Sequence, residues 1–441
     1  MKDFPIMQEY PNFNYTDPNY HGSAFEFGYI AVGRFVLNCC RWIYQQIQDN
    51  SISHFLFLSR DGKVFYEAFV LLYPELKDSV SYIYISRKVI RMVSISSTAC
   101  LLKEISKFNA LEQYTLDELY SYFCNAELNE SHLKWLGENS ELSSQQRIKC
   151  KQYQQVFNFF NFFSDEVVDH CKQVRQLYLD YLVPFLAVND RLGVFDVGYE
   201  GTAQSFLIDI TTKPIYGFYL GTFKQILKNV SDQSLVHSYL FHLGDRADNL
   251  YGFTQQVALL ESLFSAEDGS FIGYDLISKQ PLFFEENGNK RQGFVNQLHC
   301  GVLKYCEDAI DVLPRQKLTA SQSFFLIYYF FNYPIYKQDI KIFDKINFYY
   351  DSISNNYKCI IDSQNTLSDV AWQLGQTRIR HSDVFFIAQI QRQLLKLENT
   401  VFKKVIKGKY RKKYEKSRTA FYIDSQKKFV KIYFNLFGKR F

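Results

Sequence analysis

Proline and glycine are scarce in this 441-residue chain, at 9 and 20, and methionine and tryptophan scarcer still, at 3 each. So little of either breaker excludes collagen-like, linker-dominated and low-complexity architectures. Cysteine is present but unpatterned. The nine residues, at 39, 40, 100, 124, 150, 171, 300, 306 and 359, are odd in number, form no C-x-x-C pair and match no His/Cys zinc spacing. That argues against a disulfide framework and a zinc module, and for free thiols in a reducing cytoplasm. Long apolar runs are also missing. The longest strongly apolar run, Phe324–Phe331, has 8 residues, whereas a helix needs ~20 to cross a bilayer. Asp3, Glu9, Asp17 and Glu26 interrupt any signal-peptide core. The expectation is a cytoplasmic protein, soluble or peripheral on the inner face of the cytoplasmic membrane.

What is abundant is aromatic: 42 Phe and 33 Tyr within a chain that is 47% hydrophobic and 22% charged. This is the composition of an ordinary globular protein, and the Phe/Tyr excess reads as a genome-composition effect, so single aromatics carry little weight. Charge is more telling. Residues 401–441 hold 14 Lys/Arg against only Glu415 and Asp424, a net of +12, which leaves 36 basic and 44 acidic groups in the remaining 400 residues. An acidic body argues against nucleic acid as a partner. The basic tail, with Phe429, Tyr433, Leu436 and Phe437 at helical spacing, is expected to dock on an anionic membrane surface.

Residues 1–20 read as a leader and 21–275 as the core, within which 97–165 form a polar helical insertion. A helical accessory region, 276–400, and the amphipathic tail, 401–441, follow. Within the core, apolar residues at helical spacing run from Phe25 to Ile47. Strands are expected at His54–Leu58, Val80–Ile85, Leu192–Phe195 and Ile215–Leu220, with helices at Val64–Tyr73, Val167–Phe185 and Thr202–Ile210. Gly269–Asp275 reads as a hairpin or loop. Strands alternating with helices predict an α/β fold with a parallel sheet.

Two segments carry the chemistry: HFLFLSRDGKVFYEAF at His54–Phe69 and RLGVFDVGYEGTAQSFL at Arg191–Leu207. Each is an apolar strand that stops at a charged, glycine-containing turn and enters a helix, an arrangement that aims backbone N–H groups at an anion. In Ser59-Arg60-Asp61-Gly62, Arg60 suits an oxyanion, Asp61 a base or metal partner, and Gly62 the entry into the helix. In the second turn, Asp196 is placed for sugar hydroxyls. Gly198, Tyr199, Glu200, Gly201, Thr202, Ala203 and Gln204 form a loop and helix start suited to a terminal phosphate. Ser86-Arg87 ends a third strand at the same edge. Weaker candidates are the D-x-x-D outline Asp245–Asp248, and Glu261, for which a solvent-side carboxylate is an equally good reading.

With YIYISR at 82–87 and GFYLGT at 217–222, these segments together resemble the phosphoribosyltransferase-type ribofuranosyltransferases of bacterial capsule and O-antigen assembly, over about Tyr20–Asp275. The resemblance implies a phosphoribosyltransferase-like core, 5-phosphoribosyl 1-pyrophosphate as donor, and transfer of 5-phosphoribofuranose to a glycan hydroxyl, the glycan being lipid-linked where the tail meets the membrane. Asp196–Gln204 would grip the 5-phosphate and ribose hydroxyls, and Ser59–Gly62 with Ser86 and Arg87 the pyrophosphate. Mg²⁺ would arrive with the donor, Asp61 being its one candidate protein contact. Nucleotide phosphoribosyltransferases usually carry two adjacent acids and a T-G-x-T ending; here Phe195 precedes Asp196 and Thr202 directly follows Gly201, so the kinship to those enzymes is distant.

The family's module is often fused to a haloacid-dehalogenase-type phosphatase. This chain has no second D-x-D strand start, which implies that a separate phosphatase removes the 5-phosphate. Two other readings stand beside the transferase. FLFLSRDG resembles the start of a haloacid-dehalogenase phosphatase, with Ser59 at the place of the nucleophilic Asp. The third is a non-catalytic scaffold in a polysaccharide-assembly complex.

Overall fold

The structure, a computed structural model, describes residues 22–108, 111–186, 191–244, 257–284, 289–310 and parts of 319–379. The leader, the Asp245–Asp248 motif and the 401–441 tail lie outside the described residues, as does much of 276–400. Five strands, β1 (His54–Leu58), β2 (Val80–Ile83), β3 (Leu192–Asp196), β4 (Ile215–Phe223) and β5 (Val236–Gly244), make one sheet in the order β2-β1-β3-β4-β5. Every neighbouring pair is parallel. A parallel sheet needs crossovers that cover both faces, which is why β1 is apolar at four consecutive positions. Phe55 and Phe57 join the apolar cluster on one face, and Leu56 and Leu58 the cluster on the other. Full burial of each such side chain contributes roughly 1.5–3 kcal/mol.

The helices run in chain order as α1 (Ala24–Phe27), α2 (Gly33–Asp49), α3 (Lys63–Leu72), α4 (Arg87–Ser94), α5 (Thr98–Ser106), α6 (Leu116–Cys124) and α7 (Glu130–Asn139). Next come α8 (Tyr153–Phe162), α9 (Ser164–Leu186), α10 (Thr202–Thr211), α11 (Ile226–Asn229), α12 (Val257–Phe264) and α13 (Asn289–Ala309). A π-helical turn, Gly28–Val32, joins α1 to α2. The first three helices and the last two pack on the Phe57 face, and α4 to α10 on the Leu56 face. The helix α13 lies so close to α1 that a Cβ on Gly28 would strike the Leu298 carbonyl, and one on Gly301 the Phe25 carbonyl. Phe324, Ile327, Phe331, Phe343 and Trp372 join the same cluster as α13 and the sheet, so the described part of 276–400 shares the main core.

An α/β fold on a parallel sheet is what the pattern predicts, and the differences are local. Residues 97–165 are helical and pack into the cluster that covers the Leu56 face. The strand expected to reach Ile85 stops at Ile83, and β4 runs on to Phe223. The fifth strand has no expected counterpart: His237, Ser238 and His242 break its apolar run, yet the His237 ring stacks 4.9 Å from Phe218 at 12°. Among the described residues two antiparallel pairs accompany the sheet: β6 (Phe271–Tyr274) with β7 (Pro281–Phe283), and β8 (Asn347–Tyr349) with β9 (Tyr357–Cys359). Strand β7 and the second pair lie within 276–400, a region read as helical. Among the described residues no helix is long and apolar enough to cross a membrane.

Gln204 fastens α10 to the sheet. Its amide nitrogen donates to the carbonyls of Ile215 at 2.7 Å and Leu235 at 3.2 Å, and its oxygen accepts from the Tyr219 hydroxyl at 2.7 Å. Gln204→Leu keeps the bulk but takes the acceptor from the Tyr219 hydroxyl and the amide donor from the Ile215 and Leu235 carbonyls in a fully buried place. Urea denaturation should show a loss of about 1–3 kcal/mol. An unchanged midpoint would remove Gln204 as a fastening.

Candidate functional site

Strand order places the site. From β1 the chain moves through α3 to β2 on one side, and from β3 through α10 to β4 on the other, so α3 and α10 cover opposite faces. Since β1 and β3 are neighbours, the turns leaving them stand side by side at the carboxyl edge, at the switch point where open parallel sheets bind ligands.

The first turn is held from two sides. The Ser59 N–H donates to the Ile83 carbonyl at 2.9 Å, and its hydroxyl both donates to the Ile85 carbonyl and accepts from the Ile85 N–H at 2.9 Å. The Ser59–Arg60 peptide is cis. From the far side, the segment after α12 closes in: the Ser265 hydroxyl donates to Asp61 at 2.6 Å and the Ala266 N–H to the Arg60 carbonyl at 3.2 Å. A Cβ on Gly62 would strike the Leu58 carbonyl. Only glycine lets the chain enter α3 this tightly.

In the second turn, Asp196 accepts from the Gly198 N–H at 2.8 Å. The Tyr199 ring packs on Phe223 at 5.1 Å, and the Glu200 carbonyl accepts from the Asn229 side chain at 2.8 Å. Gly201 has φ +72°, a left-handed conformation at the N-cap of α10. Thr202 and Ala203 form the first helical positions. Both α10 and α3 therefore start at a glycine with no side-chain cap. Ser86, Ser97, Thr115 and Asn129 cap α4, α5, α6 and α7, while α2, α8 and α11 also lack a side-chain cap. The leading N–H groups of the two helices at the switch point are free of any capping side chain and suit an anion.

Three carboxylates meet at these turns. Asp61 and Asp196 are half-buried at the two strand ends, and the half-buried Glu261 joins them from α12. Burial pushes Asp61 up, against the pull of Arg60, the Ser265 hydroxyl, Arg291 and Arg87. Burial also raises Asp196, aided by the charge of Asp61 and opposed by the Gly198 N–H and Arg87. Glu261 is pushed up to about 8 by burial and then by Asp61 and Asp196, with Arg87 and Arg60 acting the other way. The Tyr199 phenol is held neutral by burial and by Glu261, Asp61 and Asp196. Burial is thus the main cause in all three, and Arg87 acts against it at each, so the recess holds carboxylates and guanidinium groups together. Among the described residues no three His, Cys, Asp or Glu side chains converge closely enough to hold a metal ion by themselves.

Of the residues expected at the site, Arg60, Asp61, Gly62, Arg87, Asp196, Gly198, Tyr199, Gly201 and Thr202 gather at this edge. Gln204 is a correction: it is fully buried with both ends of its amide bonded inside the sheet and has nothing left for a ligand. Ser59 and Ser86 hold the architecture, the first bridging to Ile85 and the second accepting from the Val89 N–H at 3.1 Å. Glu261 belongs to the cluster, whereas the sequence left it between site and solvent. Ser265 and Arg291 were not expected. Arg291 lies buried on α13 and donates to the Ala266 carbonyl at 3.0 Å. No family model matches the chain, and no curated protein matches it.

The raised Glu261 carboxyl predicts a pH dependence of stability. Between its ordinary 4.5 and about 8, the folded protein keeps a proton that the unfolded chain has released, so stability falls as pH rises through that window. Glu261→Gln removes that loss. In thermal melts the variant should be the more stable protein near pH 8, with the gap closing toward pH 4.5. A variant that melts no higher than wild type near pH 8 would mean the carboxyl is not confined as described.

Proposed function

We propose that the chain is a phosphoribosyltransferase-type glycosyltransferase that moves 5-phosphoribofuranose from 5-phosphoribosyl 1-pyrophosphate to a glycan hydroxyl and releases pyrophosphate. The observation that carries the reading is the pair of uncapped helix starts at one switch point, with Arg87, Arg60 and Asp196 following β2, β1 and β3 in that order along the edge. A ligand with phosphates at both ends and a sugar in the middle matches that order of groups.

On this reading the N–H groups leading into α10 hold the 5-phosphate, and Asp196, which already accepts from the Gly198 N–H, accepts hydrogen bonds from ribose hydroxyls at its remaining lone pairs. Arg60 and Arg87 draw the pyrophosphate to the Ser59–Gly62 turn. Mg²⁺ would be carried on the donor's own oxygens and would supply neutralising charge for the leaving group, which leaves the Asp61 carboxylate uncoordinated as the base. The bond from the anomeric carbon to the pyrophosphate oxygen breaks with its electron pair leaving on pyrophosphate. The acceptor oxygen then bonds to that carbon, and its proton passes to Asp61. Most of the catalysis is positioning and charge stabilisation. The phosphatase reading gains nothing here, because the Ser59 hydroxyl at the nucleophile's place is engaged at Ile85. Acceptor presentation at an anionic membrane surface by residues 401–441, and later dephosphorylation by a separate enzyme, complete the proposal.

Incubation with donor, Mg²⁺ and a panel of glycan acceptors should add the mass of a phosphopentose. Asp196→Ala should lower the rate by on the order of 10²–10³, and Arg60→Ala and Arg87→Ala should chiefly weaken donor binding measured by calorimetry. A pentose adduct without phosphate, wild-type turnover by Asp196→Ala, or unchanged donor affinity in both arginine variants would contradict the assignment.

A further inference from the structure

Beside the switch point, a row of aromatic rings wraps the carboxyl end of β2, an edge strand of the sheet. It runs from Tyr66 on α3 to Tyr82 at 6.2 Å, to Tyr84 at 5.6 Å, and on to Phe283 of β7 at 4.9 Å and Tyr181 of α9 at 6.4 Å. All five rings are half-buried. Tyr84 is fixed by its backbone: its N–H donates to the Tyr181 hydroxyl at 2.9 Å and its carbonyl accepts from the Tyr178 hydroxyl at 3.0 Å. The Tyr82 hydroxyl is buried without a hydrogen-bond partner, although such groups nearly always have one. Tyr82 lies opposite Phe57 of β1, and Tyr66 stands on α3 just after the Ser59–Gly62 turn, so the row borders that turn.

The rim of this row is acidic. Lys63 pairs with Glu267 at 3.0 Å and Asp268 at 3.8 Å, and Glu67 adds a third carboxylate to the one ammonium. The side chains of Glu267 and Asp268 are 40% and 41% exposed. A net acidic rim repels anionic polymers and accepts hydrogen bonds from hydroxyls. Tyrosine faces offer flat apolar area for the C–H faces of sugar rings, at small entropic cost. Both features suit a neutral, hydroxyl-rich ligand.

We propose that this tyrosine row, centred on Tyr84, is the subsite that binds the sugar rings of the acceptor glycan and leads its reactive hydroxyl to Asp61; the proposal rests on the transferase reading. The probes are an immobilised array of neutral hexose and N-acetylhexosamine oligosaccharides, applied without donor, and 5-phosphoribosyl 1-pyrophosphate by calorimetry. Wild-type protein should retain at least one glycan and Tyr84→Phe should retain it equally. Tyr84→Leu should bind it about three- to tenfold more weakly, the range for one lost stacking contact, with donor affinity unchanged in all three proteins. A second measurement needs no variant: saturation of tyrosine ring protons should transfer to C–H protons of the bound sugar. Failure of wild type to hold any glycan, equal binding by Tyr84→Leu, or absence of saturation transfer overturns the subsite. Glycan binding on the row without donor binding supports the subsite and removes the transferase reading. Donor binding without glycan binding does the reverse.

Discussion

Because β1 and β3 run side by side in the same direction, with Phe55 opposite Gly193 and Phe57 opposite Phe195, the turns leaving them are held next to each other while their helices part to opposite faces. Any slip of this pairing by one residue would turn the Phe side chains out of one apolar cluster and the Leu side chains out of the other. The position of Asp61 relative to Asp196 is therefore fixed by the packing of two faces of the sheet. Rigidity at the strand ends, with the ligand groups on short turns, is what positioning chemistry requires.

The same edge is under electrostatic tension. Folding confines Asp61, Asp196 and Glu261 in one recess; burial raises all three, and the charge of neighbouring carboxylates adds to it at Asp196 and Glu261. The protein tolerates this because Arg60 and Arg87 face the carboxylates, the buried Arg291 lies within reach of Asp61, and the Ser265 hydroxyl bonds Asp61 directly. A phosphorylated ligand arriving with a divalent cation would relieve the carboxylates and occupy the arginines together.

The parts legible in the sequence were those whose meaning is local. The turns Ser59–Gly62 and Asp196–Thr202 announce themselves because an apolar strand, a charged turn and a helix follow within a few residues. Glu261, Ser265 and Arg291 come from α12, its following segment and α13, about 200 residues beyond Asp61, and only the fold brings them back to it. Gln204 was misplaced for a different reason: its helix position faces the sheet rather than the turn, which spacing from Gly201 does not reveal. The fifth strand was hidden by its histidines, and Tyr82 and Tyr84 by the general excess of aromatic residues.

Whether the β1/β3 edge binds a ligand phosphorylated at both ends is best tested by calorimetric titration of the unmodified protein with 5-phosphoribosyl 1-pyrophosphate in the presence of Mg²⁺. Ribose 5-phosphate and pyrophosphate should be titrated separately under the same conditions. Two cradles acting on one molecule predict that the whole donor binds more tightly than either fragment, and that each fragment competes with it. No heat from the donor, or a donor bound no better than pyrophosphate alone, would contradict the two-cradle account.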